Sequence, residues 1–223
     1  MIGGVLSDAA RVYRRLWRRS VLVAGAVFLV VAAADGLAAL HPTRGTELVS
    51  IALALIGSLL VQGALVEVVR DVHEGREPAP PVAYYERTRN ELATLLVCAV
   101  FAGIGVALGF LLFIVPGLIL LARWTLIVPL VMVEGRSVRD AFSRSNELVT
   151  GKTLQVLAVV VLAGLVTTIL ASVATLAFGF LPTFWSAWIG GTIGGAIAAP
   201  YEAHALTVLY YRLTEPDRPI LPA

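Results

Sequence analysis

Apolar residues come in blocks of about twenty along this chain, separated by short polar, charged or proline-bearing stretches. The blocks fall at 21–40, 47–70, 92–115, 117–133, 153–180 and 187–211. Each has about the length a helix needs to cross a hydrocarbon layer of about 30 Å at 1.5 Å per residue. The pattern predicts an all-α polytopic membrane protein, with a six-helix transmembrane bundle forming one domain over 21–212. Residues 213–223 are then a cytoplasmic tail.

The segments between the blocks carry their own signals. Residues 1–20 are too polar to span, but Val5, Ala9, Val12 and Leu16 recur at helical spacing beside Tyr13 and Trp17. Arg11, Arg14, Arg15, Arg18 and Arg19 occupy the remaining surface. This predicts a separate amphipathic interfacial helix, capped by Ser7 and Asp8, whose arginines meet anionic lipid headgroups. A signal peptide with a small-residue motif at Ala32–Ala34 is the rival reading. The apolar run continues past that motif, which favours an uncleaved first helix. Within the polar stretch 71–89, Glu77-Pro78-Ala79-Pro80-Pro81 reads as an extended linker. Pro116-Gly117, with no charge around it, reads as a tight turn between the third and fourth spans. Ser137 with Asp140 opens a linker helix over 137–150, with Val138, Ala141, Phe142, Ser145, Leu148 and Val149 on one face.

Charge fixes an orientation. With six spans, basic residues 11, 14, 15, 18, 19, 70, 76, 87, 89, 136, 139, 144, 152, 212 and 218 all fall on one side. Only Arg44 falls on the other, and Arg123 lies within the layer. The positive-inside rule then puts both termini in the cytoplasm. A short repeat accompanies this symmetry. Glu74-Gly75-Arg76 and Asn90-Glu91-Leu92 in one linker match Glu134-Gly135-Arg136 and Asn146-Glu147-Leu148 in the next.

Composition narrows the chemistry. Of 223 residues, 58% are hydrophobic and 14% charged, well below the roughly 25% charged of soluble domains. The single cysteine, Cys98, lies in an apolar block, so no intrachain disulfide can form. There is no phosphate-binding loop, no HExxH, no Gly-x-Ser-x-Gly and no His or Cys cluster, so no cofactor, metal, nucleic acid or enzymatic activity is expected. The informative residues are intramembrane polar ones. Arg123 and Asp35 fall at similar depths from the outer surface, which makes them a candidate ion pair; snorkelling or a ligand role for Arg123 are the alternatives. Glu202, just after Pro200, lies level with Gln62, and is either a proton or cation group or a protonated carboxyl bonded to Gln62. Glycines in the third and sixth spans allow close helix contact, within one bundle or between copies.

The stretch Pro116–Lys152 resembles the glycerophosphoryl diester phosphodiesterase membrane-domain family. The residues that carry the resemblance are Pro116-Gly117, Arg123, Pro129-Leu130, Glu134-Gly135, Ala141, Arg144-Ser145, Glu147-Leu148 and Gly151, with Leu209-Tyr210-Tyr211-Arg212 near the end. The resemblance implies a multi-helix bundle of the bacterial inner membrane, and makes Glu134, Gly135, Arg144, Ser145 and Glu147 a linker motif. Some members are fused to a phosphodiesterase domain. This sequence holds none, so that activity is not implied. The expectation is a non-enzymatic scaffold or accessory component of a membrane process, with a membrane-protein partner or a second copy as its contact. The alternative is a transporter or lipid-handling protein with a polar site around Arg123 and Glu202.

Overall fold

The computed structural model describes residues 2–220, which form eight helices and no strand. These are α1 (Ile2–Leu40), α2 (Arg44–His73), α3 (Pro81–Leu112), α4 (Ile114–Trp124), α5 (Ile127–Glu134), α6 (Val138–Val149), α7 (Thr153–Ala177) and α8 (Thr183–Thr214). Five segments are long and apolar enough to cross a membrane: α1, α2, α3, the α4–α5 pair and α7. The chain is thus built as a multi-pass helical membrane protein. α8 falls outside that set because Gly190, Gly191, Gly194, Gly195, Trp185, Trp188 and Glu202 dilute its apolar character.

α1 corrects the expected separate interfacial helix over 1–20. Its 39 residues run without a break, about 58 Å at 1.5 Å per residue, so it outruns the hydrocarbon layer. Ser7 and Asp8 lie inside it rather than at a cap, and Ser7 Oγ donates back to the Gly4 carbonyl at 3.0 Å. The predicted apolar stripe exists, but it faces protein. Val5, Ala9 and Val12 are fully buried and Leu16 nearly so. Ala9 packs in a cluster with Ala163 of α7 and Ala205 of α8. Nothing between Arg19 and Val21 breaks a helix, and burial against two neighbours outweighs the attraction of the stripe for lipid.

α8 lies between α1 and α7 and runs antiparallel to both. A Cβ on Gly191 would stand 3.1 Å from Ala32, and one on Gly195 2.5 Å from Phe28, both in α1. Gly190 and Gly194 turn the other way, where a Cβ would come within 3.0 Å of Thr175 and 3.2 Å of Ala171 backbone atoms in α7. Missing side chains therefore set both distances of closest approach. The α1–α8 seam is stitched by Trp188 Nε1 donating to the Leu29 carbonyl at 2.9 Å and by Ser20 Oγ against His204 Nε2 at 2.9 Å. Tyr13 donates to the Ile197 carbonyl at 3.0 Å, one turn before Pro200.

The remaining boundaries shift in ways that local chemistry explains. The extended linker is only 76–80, because Pro81 takes the first position of α3, where its missing N–H costs nothing. Pro81, expected in the extended stretch, is therefore helical. Between α3 and α4 only Phe113 is extended, with φ −160° and ψ 154°, and Pro116 sits inside the first turn of α4. The turn is tight because Gly109 and Gly117 meet backbone to backbone; a Cβ on Gly109 would be 2.9 Å from Gly117 Cα. A break between α4 and α5, at Thr125 and Leu126, interrupts the expected fourth span. Helix α6 starts as its sequence suggests. Ser137 Oγ accepts from the Asp140 amide at 3.4 Å and donates to the Asp140 carboxylate at 2.6 Å. Ala141, Ser145 and Val149 are buried. Gly75 and Gly135, at φ 69° and 62°, both lie just beyond a helix end, Gly75 after the Glu74 cap of α2 and Gly135 as the cap of α5 itself.

Candidate functional site

The intramembrane residues singled out by sequence do not assemble into one site. Asp35, near the end of α1, accepts a hydrogen bond from Ser50 of α2. Arg123 is elsewhere, at the end of α4, where its carbonyl accepts from Ser145 Oγ of α6 at 2.6 Å. The expected Asp35–Arg123 pair is not formed. α4 starts three residues earlier than the pattern implies, which carries Arg123 about 4.5 Å further from the α3–α4 turn, and α6 holds it there through Ser145. The Arg123 guanidinium makes no ion pair with a described residue, and its Nε is buried without a partner. Glu202 and Gln62 are not hydrogen-bonded to each other, contrary to one expectation. His204 is fully buried against Ser20, and no group of metal-ligand residues occurs among the described residues.

The linker motif is divided among three jobs. Glu134 accepts from Tyr210 of α8 at 2.9 Å and from Arg136 at 2.8 Å, which fastens the end of α5. Gly135 provides the left-handed residue that ends the helix. Ser145 docks α6 on Arg123, whereas Arg144 and Glu147 form a surface pair at 3.3 Å, of a kind that contributes little.

A polar cluster that sequence reasoning misses lies at the end of α2. Glu67 and Asp71 are 3% and 1% exposed. Arg87 Nη1, from α3, stands 3.0 Å from Glu67 and 3.1 Å from Asp71. Arg70 Nη1 donates to Glu67 at 3.1 Å and to the Met132 carbonyl of α5 at 3.2 Å, and Arg76 reaches Asp71 at 3.1 Å. Two buried carboxylates and three arginines thus clasp α2, α3, α5 and the linker. The one signal for it in the sequence is the spacing Glu67-x-x-x-Asp71, which puts both acids on one helix face. The arginines give no such signal, since their positions serve equally well to mark orientation.

The last described residues close under this clasp. His73 stacks on Tyr211 at 4.0 Å, and its Nδ1 is 3.2 Å from the Ile220 carbonyl. Arg218 donates to the His73 carbonyl and to Glu215, each at 3.1 Å. Burial alone would raise the Glu215 carboxyl, but Arg218 and His73 together hold it below its usual value. Residues 215–220 therefore fold back on α2 rather than forming a free tail; 221–223 lie outside the described residues.

Beside the clasp is an arginine-lined recess of about 640 Å³. One wall is α1, with Arg14, Arg15, Trp17, Arg18 and Arg19; the other is the α2–α3 linker, with Arg76 and Pro78. Arg14 and Arg19 form no ion pair with a described residue, and Arg18 lies 5.7 Å from the Trp17 ring centre in a cation–π contact. Arg76 is already held by Asp71 and Glu74. Arg11, by contrast, is turned away from the recess and pairs with Asp8, which also binds Arg212 of α8. Chemically Arg14, Arg18 and Arg19 bring guanidinium groups without an ion pair beside apolar carbon, a combination suited to an anionic group attached to an apolar body.

Comparison of the chain with known protein families, with curated proteins and with solved structures gives no match.

Proposed function

We propose that the chain is a non-enzymatic, six-span protein of a bacterial cytoplasmic membrane, acting as a scaffold or accessory component of a membrane or envelope process. In this reading its contact with the cytoplasmic leaflet runs through the arginine-lined recess, which takes anionic lipid headgroups. The recess is the observation that carries the proposal. Its Trp17 lies nineteen residues before Gly36, about 28 Å along α1 at 1.5 Å per residue. Gly36 packs on Phe184, whose neighbours Trp185 and Trp188 stack with it, so aromatic residues stand at both ends of a length matching the hydrocarbon layer. The arginines of α1 then fall at headgroup depth on the side that the positive-inside rule assigns to the cytoplasm.

The six-crossing reading is supported by the company α8 keeps. It runs beside α1 from the Gly36–Phe184 contact to the Asp8–Arg212 pair, so it crosses wherever α1 crosses. The resemblance of Pro116–Lys152 to the glycerophosphoryl diester phosphodiesterase membrane-domain family supports an accessory rather than catalytic role. A transport pathway through Arg123 and Glu202 is the weaker reading, since the two residues join no common hydrogen-bond network.

The test is native mass spectrometry of the protein released from nanodiscs of equal phosphatidylglycerol and phosphatidylcholine. Retained lipid should be enriched in phosphatidylglycerol. The enrichment should disappear in a variant combining Arg14→Gln, Arg18→Gln and Arg19→Gln. Equal retention of both lipids by the unaltered protein would overturn the proposal.

A further inference from the structure

The break between α4 and α5 lies in the apolar part of the bundle, at a crevice of about 290 Å³. Most of its lining is apolar, but Gln62 of α2, with Trp124 and Thr125 at the break itself, also face it. Gln62 is twelve residues beyond Ser50 and ten before Val72, about 18 Å and 15 Å along α2, so it lies near the middle of the layer. A second groove, of about 350 Å³, shares Trp124 and Thr125 and extends between α3 and α4 past Gly103, Val106 and Leu121. Gly103 keeps this groove open, since a Cβ there would find nothing within 4 Å.

Three polar groups at the crevice are unused. The Gln62 amide, the Thr125 hydroxyl and the Trp124 indole N–H make no hydrogen bond with any described residue. In hydrocarbon no water replaces such a bond, and polar groups left unpaired there are costly. Irregular backbone at membrane depth is likewise tolerated only where protein buries it or where it borders a cavity. No charged side chain lines the crevice or the groove, so nothing there would neutralise an ion. Leu55, at the crevice edge, is 38% exposed on the bundle's flank, which leaves a lateral route from the lipid.

We infer that this crevice binds a neutral glycerolipid, its hydroxyl or ester oxygens taken by Gln62, Thr125 and Trp124 and its acyl chain laid in the groove between α3 and α4. An amide side chain both donates and accepts, and so matches a hydroxyl; the indole and threonine groups supply donors for an ester carbonyl. The site is separate from the arginine-lined recess and does not depend on it.

Trp124 provides the readout. A dibrominated monoacylglycerol is titrated into the detergent-purified protein and tryptophan quenching is followed, with dibrominated octadecane as the probe that has the same bromines and no oxygen. The expected result is saturable quenching that unbrominated monoolein displaces, that is lost in Trp124→Phe, and that the alkane does not reproduce. Gln62→Leu, which retains bulk and suits the layer, should weaken binding at least about tenfold, equivalent to about 1.4 kcal/mol. Thr125→Val should weaken it less, and serves as the deciding variant if Gln62→Leu does not elute as a folded monodisperse species. Non-saturable quenching, equal quenching by the alkane, or unchanged affinity in the folded variants would each overturn the inference.

Discussion

At the scale of single residues, Asp71 and Glu67 are where the fold is most sensitive to charge. Both carboxylates are almost wholly buried, and each holds guanidinium groups from more than one segment. Removing one partner of a buried pair strands the other and costs about 3–5 kcal/mol. Arg76 and Arg87 are 40% and 39% exposed, so water recovers part of that loss. Asp71→Ala should therefore destabilise by about 3 kcal/mol, at the lower end of that range. Glu147→Ala, which breaks only an exposed pair, should change stability by less than about 1 kcal/mol. Denaturant unfolding in detergent compares the two, and equal losses would remove the special role of the clasp. Glu215 adds a pH effect. Its carboxyl is held below 4.5 in the fold, so its anchoring of residues 215–220 is fully present above that pH. The anchoring is lost as pH falls through the lower folded value, and amide exchange over 215–220 should quicken there before α2 itself opens.

At the scale of helices, what was legible in the sequence depended on whether the signal was local. Gly135, Ser137 and the apolar face of α6 are local, and each does what its chemistry prescribes. The apolar stripe of residues 5–16 was equally visible, but a stripe does not name its partner. Facing lipid and facing α8 look alike until the neighbour is in place. The polar run after Pro81 gives no sign of what steadies its helix, which is Arg87 reaching back to Glu67 and Asp71, a contact across the chain. The α4–α5 break has a local cause that the apolar pattern hid: Pro129 has no N–H for the Thr125 carbonyl four residues back, and its ring crowds that carbonyl. Two glycines separate conformational need from mere smallness. Gly135 has φ 62°, and Gly135→Ala should cost about 1–2 kcal/mol by forcing a side chain into the left-handed region. Gly164 is inside α7, and a methyl group placed on it would meet nothing within 4 Å, so Gly164→Ala should stabilise by about 0.5–1 kcal/mol. Thermal unfolding of the two variants should shift in opposite directions.

At the scale of the whole molecule, the lengths of the helices and the places of the charges describe one object. α1, α2, α3 and α8 have 39, 30, 32 and 32 residues, longer than the roughly 20 that a bilayer requires. The surplus is gathered at one end, where Asp8, Glu67, Asp71 and His73 are buried among arginines and Tyr211. The opposite end is short-looped and aromatic, with Phe184, Trp185 and Trp188 in mutual contact. Hydropathy marks five candidate crossings, whereas the six-span reading proposed above adds α8 on the strength of its full-length pairing with α1. The two counts make different predictions for accessibility. With Cys98→Ser as background, single cysteines are placed at Glu77 and Arg139, in the linkers of the charged end, and at His41 and Phe180, in the loops of the aromatic end; all four positions are exposed. An impermeant thiol reagent added outside intact cells should label His41→Cys and Phe180→Cys, and should label Glu77→Cys and Arg139→Cys only after the membrane is opened. A tag after residue 220 should be protected from outside with the second pair, because six crossings return the chain to the side where it began. Exposure of that tag together with the His41 and Phe180 positions would mean that α8 does not cross, and the α1–α8 seam would then have to be a contact outside the bilayer.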